Sequence, residues 1–290
     1  MILSKWKTLS LEELKQYPDA LNDLRIKKTN GFIIKNLLSI EETKLIIDQF
    51  ENLPNSLKVK IPEGATYPKV FPQLVSSIPG STEEVLINDQ VFTEYFNNSE
   101  IYNRNFTKEF NYPMTKKLKE VFAMISGNRK IEIPKGFNSS GEYVFGTIRK
   151  LIPNSGNISF HCGNYFQQEF PEFYNHLSKQ VDVFNQLSYF VVLDTPQIGG
   201  ELSIYNWHWQ DGQTKAHPAE NIIVKDAKGN SIEIKTIKKE KLDLSPGDLV
   251  LFQGGSIWHR IEEIKGKKSR YTLGGFIGRS KDDKAIYIWS

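Results

Sequence analysis

The sequence predicts a mainly β protein with helices gathered on its N-terminal side, and three observations carry that expectation. Apolar periodicity is helical from Ser10 to about Gly127. After Lys130 it changes to short alternating runs, and those runs are separated by Gly, Pro and Asn. Such a pattern points to an antiparallel sandwich or barrel. With 290 residues, 39% of them hydrophobic and 12% aromatic, the chain can bury one large core or two modest ones. No internal repeat divides it. One domain over 1–290 is expected, with a mainly helical part over 1–129 and a β core over 130–290.

Ser39 to Glu42 reads as a capping box ahead of Leu45, Ile46, Phe50 and Leu53, which share one helix face. A second helix is expected from Pro113 to Ser126, because Met114, Leu118, Val121, Phe122 and Ile125 recur at steps of three and four. Between them, Pro54 to Pro79 is rich in Pro and Ser and reads as a long loop of the kind that folds over a functional site. Strands are expected at Ile131–Ile133, Tyr143–Ile152, Gln186–Leu193, Glu201–Trp207 and Asp248–Phe252. Asp226 to Asn230 reads as a hairpin turn inside an insertion of about 210–244.

Lys and Arg total 37 against 34 Asp and Glu, and the basic residues are scattered, so no nucleic-acid footprint is present. A lone cysteine, Cys162, excludes an internal disulfide framework and fits a reducing, cytoplasmic setting. Met1 to Leu14 holds no apolar run long enough for a signal peptide core or a membrane span, so no membrane association is expected.

Two of the five histidines stand in informative surroundings. His161 lies in Asn157-Ile-Ser-Phe-His-Cys-Gly-Asn164, where strand alternation would put His161 and Gly163 on one face and Cys162 on the other. His259 follows Ser245-Pro-Gly-Asp-Leu-Val-Leu-Phe252 and Gly254-Gly255, and Arg270 and Thr272 come shortly after it. A facial triad for Fe(II) needs two His and one carboxylate, leaving positions for a bidentate co-substrate and dioxygen. Here Gly163 stands where the acid would be, and its missing side chain leaves room for an external anion. Chloride carries the same unit charge as that carboxylate. The planar guanidinium of Arg270 suits the distal carboxylate of 2-oxoglutarate, with Thr272 as a second donor. His-x-Gly alone more often ends an ordinary strand, and its weight comes from the motifs that accompany it. His176 reads as a helix-surface residue, Glu201 as structural, Cys162 as a small buried hydrophobe, and Lys238, Lys239 and Lys241 as a solvated face.

The sequence resembles the iron/2-oxoglutarate-dependent aliphatic halogenases that act on free-standing small molecules, in particular the hapalindole- and welwitindolinone-type alkaloid halogenases. The matching stretches are His161-Cys-Gly-Asn164, Asn185-Gln-Leu-Ser-Tyr-Phe190, Gly199-Gly-Glu-Leu202, Pro246-Gly-Asp248 through Gly254-Gly255 to His259, Arg270-Tyr-Thr-Leu-Gly-Gly-Phe276, and Ser280-Lys-Asp282 through Tyr287-Ile-Trp-Ser290. The N-terminal half contributes only Lys15-Gln-Tyr-Pro18, the Lys69-Val70 region and Ile131 to Pro134.

This resemblance implies a double-stranded β-helix, a cupin-like jelly roll, buttressed by the N-terminal helices. It also implies Fe(II), 2-oxoglutarate, chloride or bromide, and dioxygen as cofactors, and chlorination of an unactivated aliphatic carbon by hydrogen abstraction and chlorine transfer. His161 and His259 would ligate iron, Gly163 would leave the halide position open, and Ser188 would lie near the reacting centre. Val70 and Ile158 would line the substrate pocket. Tyr271 and Phe71 depart from the family pattern, Phe71 adding bulk to the pocket, so the substrate can differ from a hapalindole-like alkaloid. A hydrophobic small molecule delivered without a carrier protein is the expected partner. A hydroxylase or other oxidase with the same cofactors, and a non-catalytic binding protein, remain as alternatives.

Overall fold

The computed structural model describes residues 5–61, 64–69, 89–136, 141–217 and 220–290. Two sheets face one another. The larger is mixed and runs β1 (Trp6–Leu9), β2 (Gly31–Ile34), β14 (Leu249–Phe252), β8 (Leu187–Asp194), β17 (Arg270–Arg279), β6 (Thr147–Leu151), β4 (Ala65–Pro68), β3 (Lys58–Ile61). β18 (Ala285–Trp289) also pairs with β17 and carries β5 (Lys130–Glu132) beside it. The smaller is antiparallel, in the order β13 (Lys239–Lys241), β10 (Leu202–His208), β15 (Ile257–Ile261), β7 (Ile158–His161). Two short ribbons complete the strands, β9 (Ile198–Gly199) with β16 (Ile264–Lys265) and β11 (Ile223–Lys225) with β12 (Ser231–Glu233).

Side-chain alternation divides the interior into three apolar layers. Tyr189, Val191 and Leu193 of β8, Leu249 and Leu251 of β14, and Tyr271, Leu273 and Ile277 of β17 pack on the helices, in a cluster that extends from Leu14 to Trp289. From the same strands, Phe190, Val250 and Phe252 turn the other way and meet Leu202, Ile204, Ile257 and Ile261 of the smaller sheet. The outer face of the smaller sheet carries Phe160, Tyr205, Trp207 and Trp258, which Val224 and Ile234 of the insertion cover.

Helices α1 (Leu11–Leu14), α2 (Ala20–Arg25), α3 (Ile40–Asn52), α4 (Asp89–Phe110) and α5 (Met114–Met124) precede the β core, and α6 (Gly163–Glu169) and α7 (Pro171–Leu177) interrupt it. The capping box at α3 forms: the Ser39 hydroxyl accepts from the Glu42 N–H at 3.2 Å, and the Glu42 carboxylate accepts from the Ser39 N–H at 2.7 Å. The apolar stripe of α5 buries Met114, Leu118, Val121 and Phe122. Among the described residues no helix is long and apolar enough to cross a membrane.

The N-terminal part differs from its periodicity in two respects. Four strands lie within it, and β3 and β4 occupy the stretch expected to be a loop; Ala65 and Thr66 pair with Leu151 and Lys150 and so extend the large sheet. Only four residues long each and flanked by Pro and Ser, these strands carry too little alternation to register in a sequence window. His176 is buried, not on a helix surface, because α7 packs beneath α4 and its Nδ1 meets the Tyr143 hydroxyl at 2.8 Å. Lys239 is not simply solvated, because its ammonium lies 2.6 Å from Glu220 and 2.9 Å from Glu262.

The Pro246-Gly-Asp248 motif proves to be a strand clamp. Gly247 adopts φ +92, and a Cβ there would run into the Leu38 carbonyl oxygen. Asp248 is fully buried and accepts from the Lys35 ammonium at 2.5 Å and from the Ser245 and Asn36 N–H groups at 2.8 and 3.2 Å. It thereby fastens the start of β14 to the end of β2. Asp248→Ala is expected to lower unfolding free energy by about 3 kcal/mol with an unchanged denaturant slope, as measured by urea titration, since it strands buried donors.

Candidate active site

The candidate site lies between the two sheets. His161 of β7 and His259 of β15 are register partners, with ring centroids 4.3 Å apart. Each ring is held by its own strand. His161 Nδ1 lies 2.6 Å from the Ser159 carbonyl oxygen and His259 Nδ1 lies 2.8 Å from the Ile257 carbonyl oxygen. A carbonyl can only accept, so both Nδ1 atoms carry the proton and both Nε2 lone pairs are free to bind a metal. Burial, with Arg149 as a lesser cause, lowers the pKa of His161 to about 4; the same burial, then His161 and Arg149, hold His259 well below its ordinary value. Both imidazoles are therefore neutral at pH 7. Phe252 packs edge-on to His259 at 4.9 Å and fixes the ring plane.

Among the described residues no cluster of three or more His, Cys, Asp or Glu completes this pair. Glu201, an acid within one of the family motifs, is engaged elsewhere, 3.4 Å from the Lys241 ammonium. The strand of His161 does not continue to Gly163 as alternation had suggested: Cys162 is still extended, and Gly163 opens α6. Gly163 donates its N–H to the Gly254 carbonyl and Asn164 donates to the Gly255 carbonyl, both at 2.8 Å, which draws the glycine to the turn before β15. A Cβ on Gly163 would stand 2.8 Å from Gln186 Nε2 and 3.0 Å from Gly255 Cα. Cys162 faces the outer apolar layer, and burial raises its thiol to about 12, so it is an inert hydrophobe.

Arg270 is buried, 4% exposed, with its guanidinium 5.5 Å from the centre of the Phe190 ring. Burial, then Arg149, lowers its pKa to about 9, which still leaves it charged at neutral pH. Thr272 is buried on the same strand face, while Tyr271 between them turns to the helices, where its hydroxyl donates to Glu51 at 3.1 Å. Arg149 is the residue that sequence reading missed. It stands opposite Thr272 in the β6–β17 ladder, its guanidinium is 5.4 Å from the Tyr67 ring, and its Nε is buried without a partner. Its position in a strand with a strong apolar period was a legible signal only in hindsight of the pairing with Thr272. Neither arginine has an ion pair among the described residues, so two guanidinium groups share a region without a matching acid. That arrangement leaves positive charge that an anion would balance.

Ser188 lies on the inner face of β8, with its side chain against Gly254; a Cβ at Gly254 would overlap it. Ile158 reaches the inner layer because the β7–β15 register shifts between His259 and Ile261, so that the extra residue on β7 reverses its face. Phe166 of α6 is 5.4 Å from the His161 ring. Trp207 and Trp209 pack in the outer layer and do not border this region. Val70 and Phe71 lie outside the described residues.

Solved structures with the same fold include an N-substituted L-amino acid dioxygenase from Burkholderia ambifaria AMMD, 12% identical over 92% of this chain and 90% of that chain, with a TM-score of 0.52. A structure of an N-substituted L-amino acid dioxygenase from the same organism in complex with alpha-KG matches at 13% identity, the same coverages and a TM-score of 0.51. The protein thus shares the fold of these dioxygenase structures. The family model described as the carrier-protein-independent halogenase WelO5 matches residues 3–290, and the chain belongs to that family. No curated protein sequence matches it.

A buried cation without a partner is costly in the absence of its ligand. Arg270→Met is therefore expected to raise the melting temperature of the ligand-free protein by a few degrees, read by thermal unfolding.

Proposed function

We propose that the protein is an iron- and 2-oxoglutarate-dependent halogenase that chlorinates an unactivated aliphatic carbon of a free-standing small molecule. The observation that carries this is the pair of neutral, facing imidazoles of His161 and His259 with no carboxylate beside them among the described residues, next to a glycine where the acid would stand. Family membership supports the halogenase reading and a substrate presented without a carrier protein. The facing sheets are read as a double-stranded β-helix within one catalytic domain, supported by an apolar cluster that joins Leu14 to Trp289.

The residues divide the work as follows. His161 and His259 would hold Fe(II) through Nε2, each oriented by its Nδ1–H bond to a strand carbonyl. Arg270, Thr272 and Arg149 would bind the carboxylates of 2-oxoglutarate, the planar guanidinium groups giving paired charge-assisted hydrogen bonds. Gly163 would leave space for chloride or bromide, which restores the single negative charge that a carboxylate ligand would bring. Ser188 would offer a hydroxyl to the reacting centre, and Ile158, Val70 and Phe71 would border a hydrophobic substrate. When bound, iron with 2-oxoglutarate and dioxygen supplies the oxidising power that removes hydrogen from carbon, and the halide is the group delivered to it. Burial of His259 behind Phe252 keeps bulk water away from that side of the chemistry.

Anaerobic titration with Fe(II) and 2-oxoglutarate, then chloride, tests this reading through the weak metal-to-ligand charge-transfer band. The band is expected to appear with 2-oxoglutarate and to shift with chloride; a band indifferent to chloride would indicate a hydroxylase, and no band a binding protein. Gly163→Asp is expected to end chlorination and leave hydroxylation, scored by mass spectrometry of the products. The flexible end of Gln186 can rotate away from the new side chain, and Gly255 need yield only a few tenths of an ångström. Continued chlorination by that variant would refute the assignment of the halide position.

A further inference from the structure

We propose that Gln186 binds the halide, its side-chain amide donating an N–H to the anion beside Gly163. This rests on the reading of Gly163 as the halide position and extends it by naming the protein group that holds the ion.

Gln186 is only 2% exposed, yet both of its amide atoms lack a hydrogen-bond partner. A buried amide in that condition is rare in a folded protein and calls for a ligand. Its direction is set by alternation. Gln186 precedes β8 on the same side as Ser188 and Phe190, and Phe190 faces the inner layer beneath Arg270. The nitrogen end is the closest atom to the place a Gly163 Cβ would take, at 2.8 Å, with Cδ at 3.3 Å. A second donor flanks the same glycine. Asn164 is 3% exposed, its Oδ1 accepts from Gln167 Nε2 at 2.8 Å, and its Nδ2 is buried without a partner. The backbone donors here are already used, since the N–H groups of Gly163 and Asn164 serve Gly254 and Gly255. The Tyr174 hydroxyl is near enough for the Gln186 amide to oppose the rise that burial gives its pKa, but no bond of hydrogen-bond geometry joins them.

An orphaned N–H group beside one side-chain-free position, with a second unpartnered amide on the next residue, suits a small anion. A side chain on residue 163 would displace the flexible Gln186 amide, whereas with glycine there the amide stays at the edge of the space and offers its N–H to a monatomic ion. Chloride and bromide fit that chemistry, as spherical acceptors with no directional demand.

The test compares native protein with Gln186→Met, which keeps the length of the side chain and lacks the N–H. Each is loaded anaerobically with Fe(II) and 2-oxoglutarate and titrated with sodium chloride at constant ionic strength, the charge-transfer band being followed. Gln186→Met is expected to form the 2-oxoglutarate band normally and to bind chloride roughly tenfold or more weakly, the loss that accompanies removal of a hydrogen bond to a charged group. An unchanged chloride dissociation constant in Gln186→Met, with a native-like chloride shift, would overturn the role of Gln186 alone. A native band that ignores chloride would overturn the halide reading and this inference with it. Should Gln186→Met fail to fold, Gln186→Glu carries the same comparison: an intact band with no chloride response supports the role, because a carboxylate repels the halide, and a native-like response overturns it.

Discussion

His259 and Arg270 are buried between the two sheets, His161 and Arg149 are half-buried beside them, and no acid among the described residues balances the four. Placing charge there is expensive, and the surrounding protein must be rigid enough to hold the groups apart from water and from one another. Strand register supplies that rigidity. His161 faces His259 across one ladder and Arg149 faces Thr272 across another, so each spacing is fixed by backbone hydrogen bonds and not by flexible loops. In the proposed site a dicarboxylate and a halide would fill the electrostatic gap that results, and burial keeps His161 and His259 neutral while Arg270 stays charged.

The layers on either side serve this arrangement. On one side the helices cover the large sheet with an aromatic core in which Phe96, Tyr102, Phe106 and Phe110 of α4 pack on Tyr143 and Phe145. On the other, the insertion of about 210–244 shields the back of the small sheet, where Phe160 stacks on Trp258 with centroids 4.6 Å apart. That stack sits on residues adjoining both histidines, so the insertion stiffens the strands that carry them. The Glu220, Lys239, Glu262 and Arg260 network binds the insertion to β15 at its polar edge.

Glycine clustering near His161 has a single steric origin. Gly254 and Gly255 must pass beneath the end of β8, where a Cβ on either would overlap Ser188 or Gln186. Their carbonyls then capture the N–H groups of Gly163 and Asn164, turning the chain out of β7 into α6 directly after the first histidine. The open position at residue 163 and the close approach of Gln186 are two results of the same packing.

Much of this was readable in the chain. Alternation and Gly/Pro spacing identified the strand that carries Ser188 and the strand that precedes His259, and Ser39 with Glu42 announced α3, because these are local preferences of consecutive residues. Composition and the His161, Gly163, His259, Arg270 series were enough to suggest an iron site lacking its acid. Tertiary structure decided the rest. Arg149 and Gln186 acquire meaning only from what lies across a ladder or beneath a turn, far away in sequence. The reversal of Ile158 depends on one extra residue in β7, His176 is buried by a helix from another region, and Trp207 and Trp209 face away from the site although they adjoin its motifs. A sequence window registers periodicity, whereas partners brought together by strand pairing are set by the packing of the whole chain.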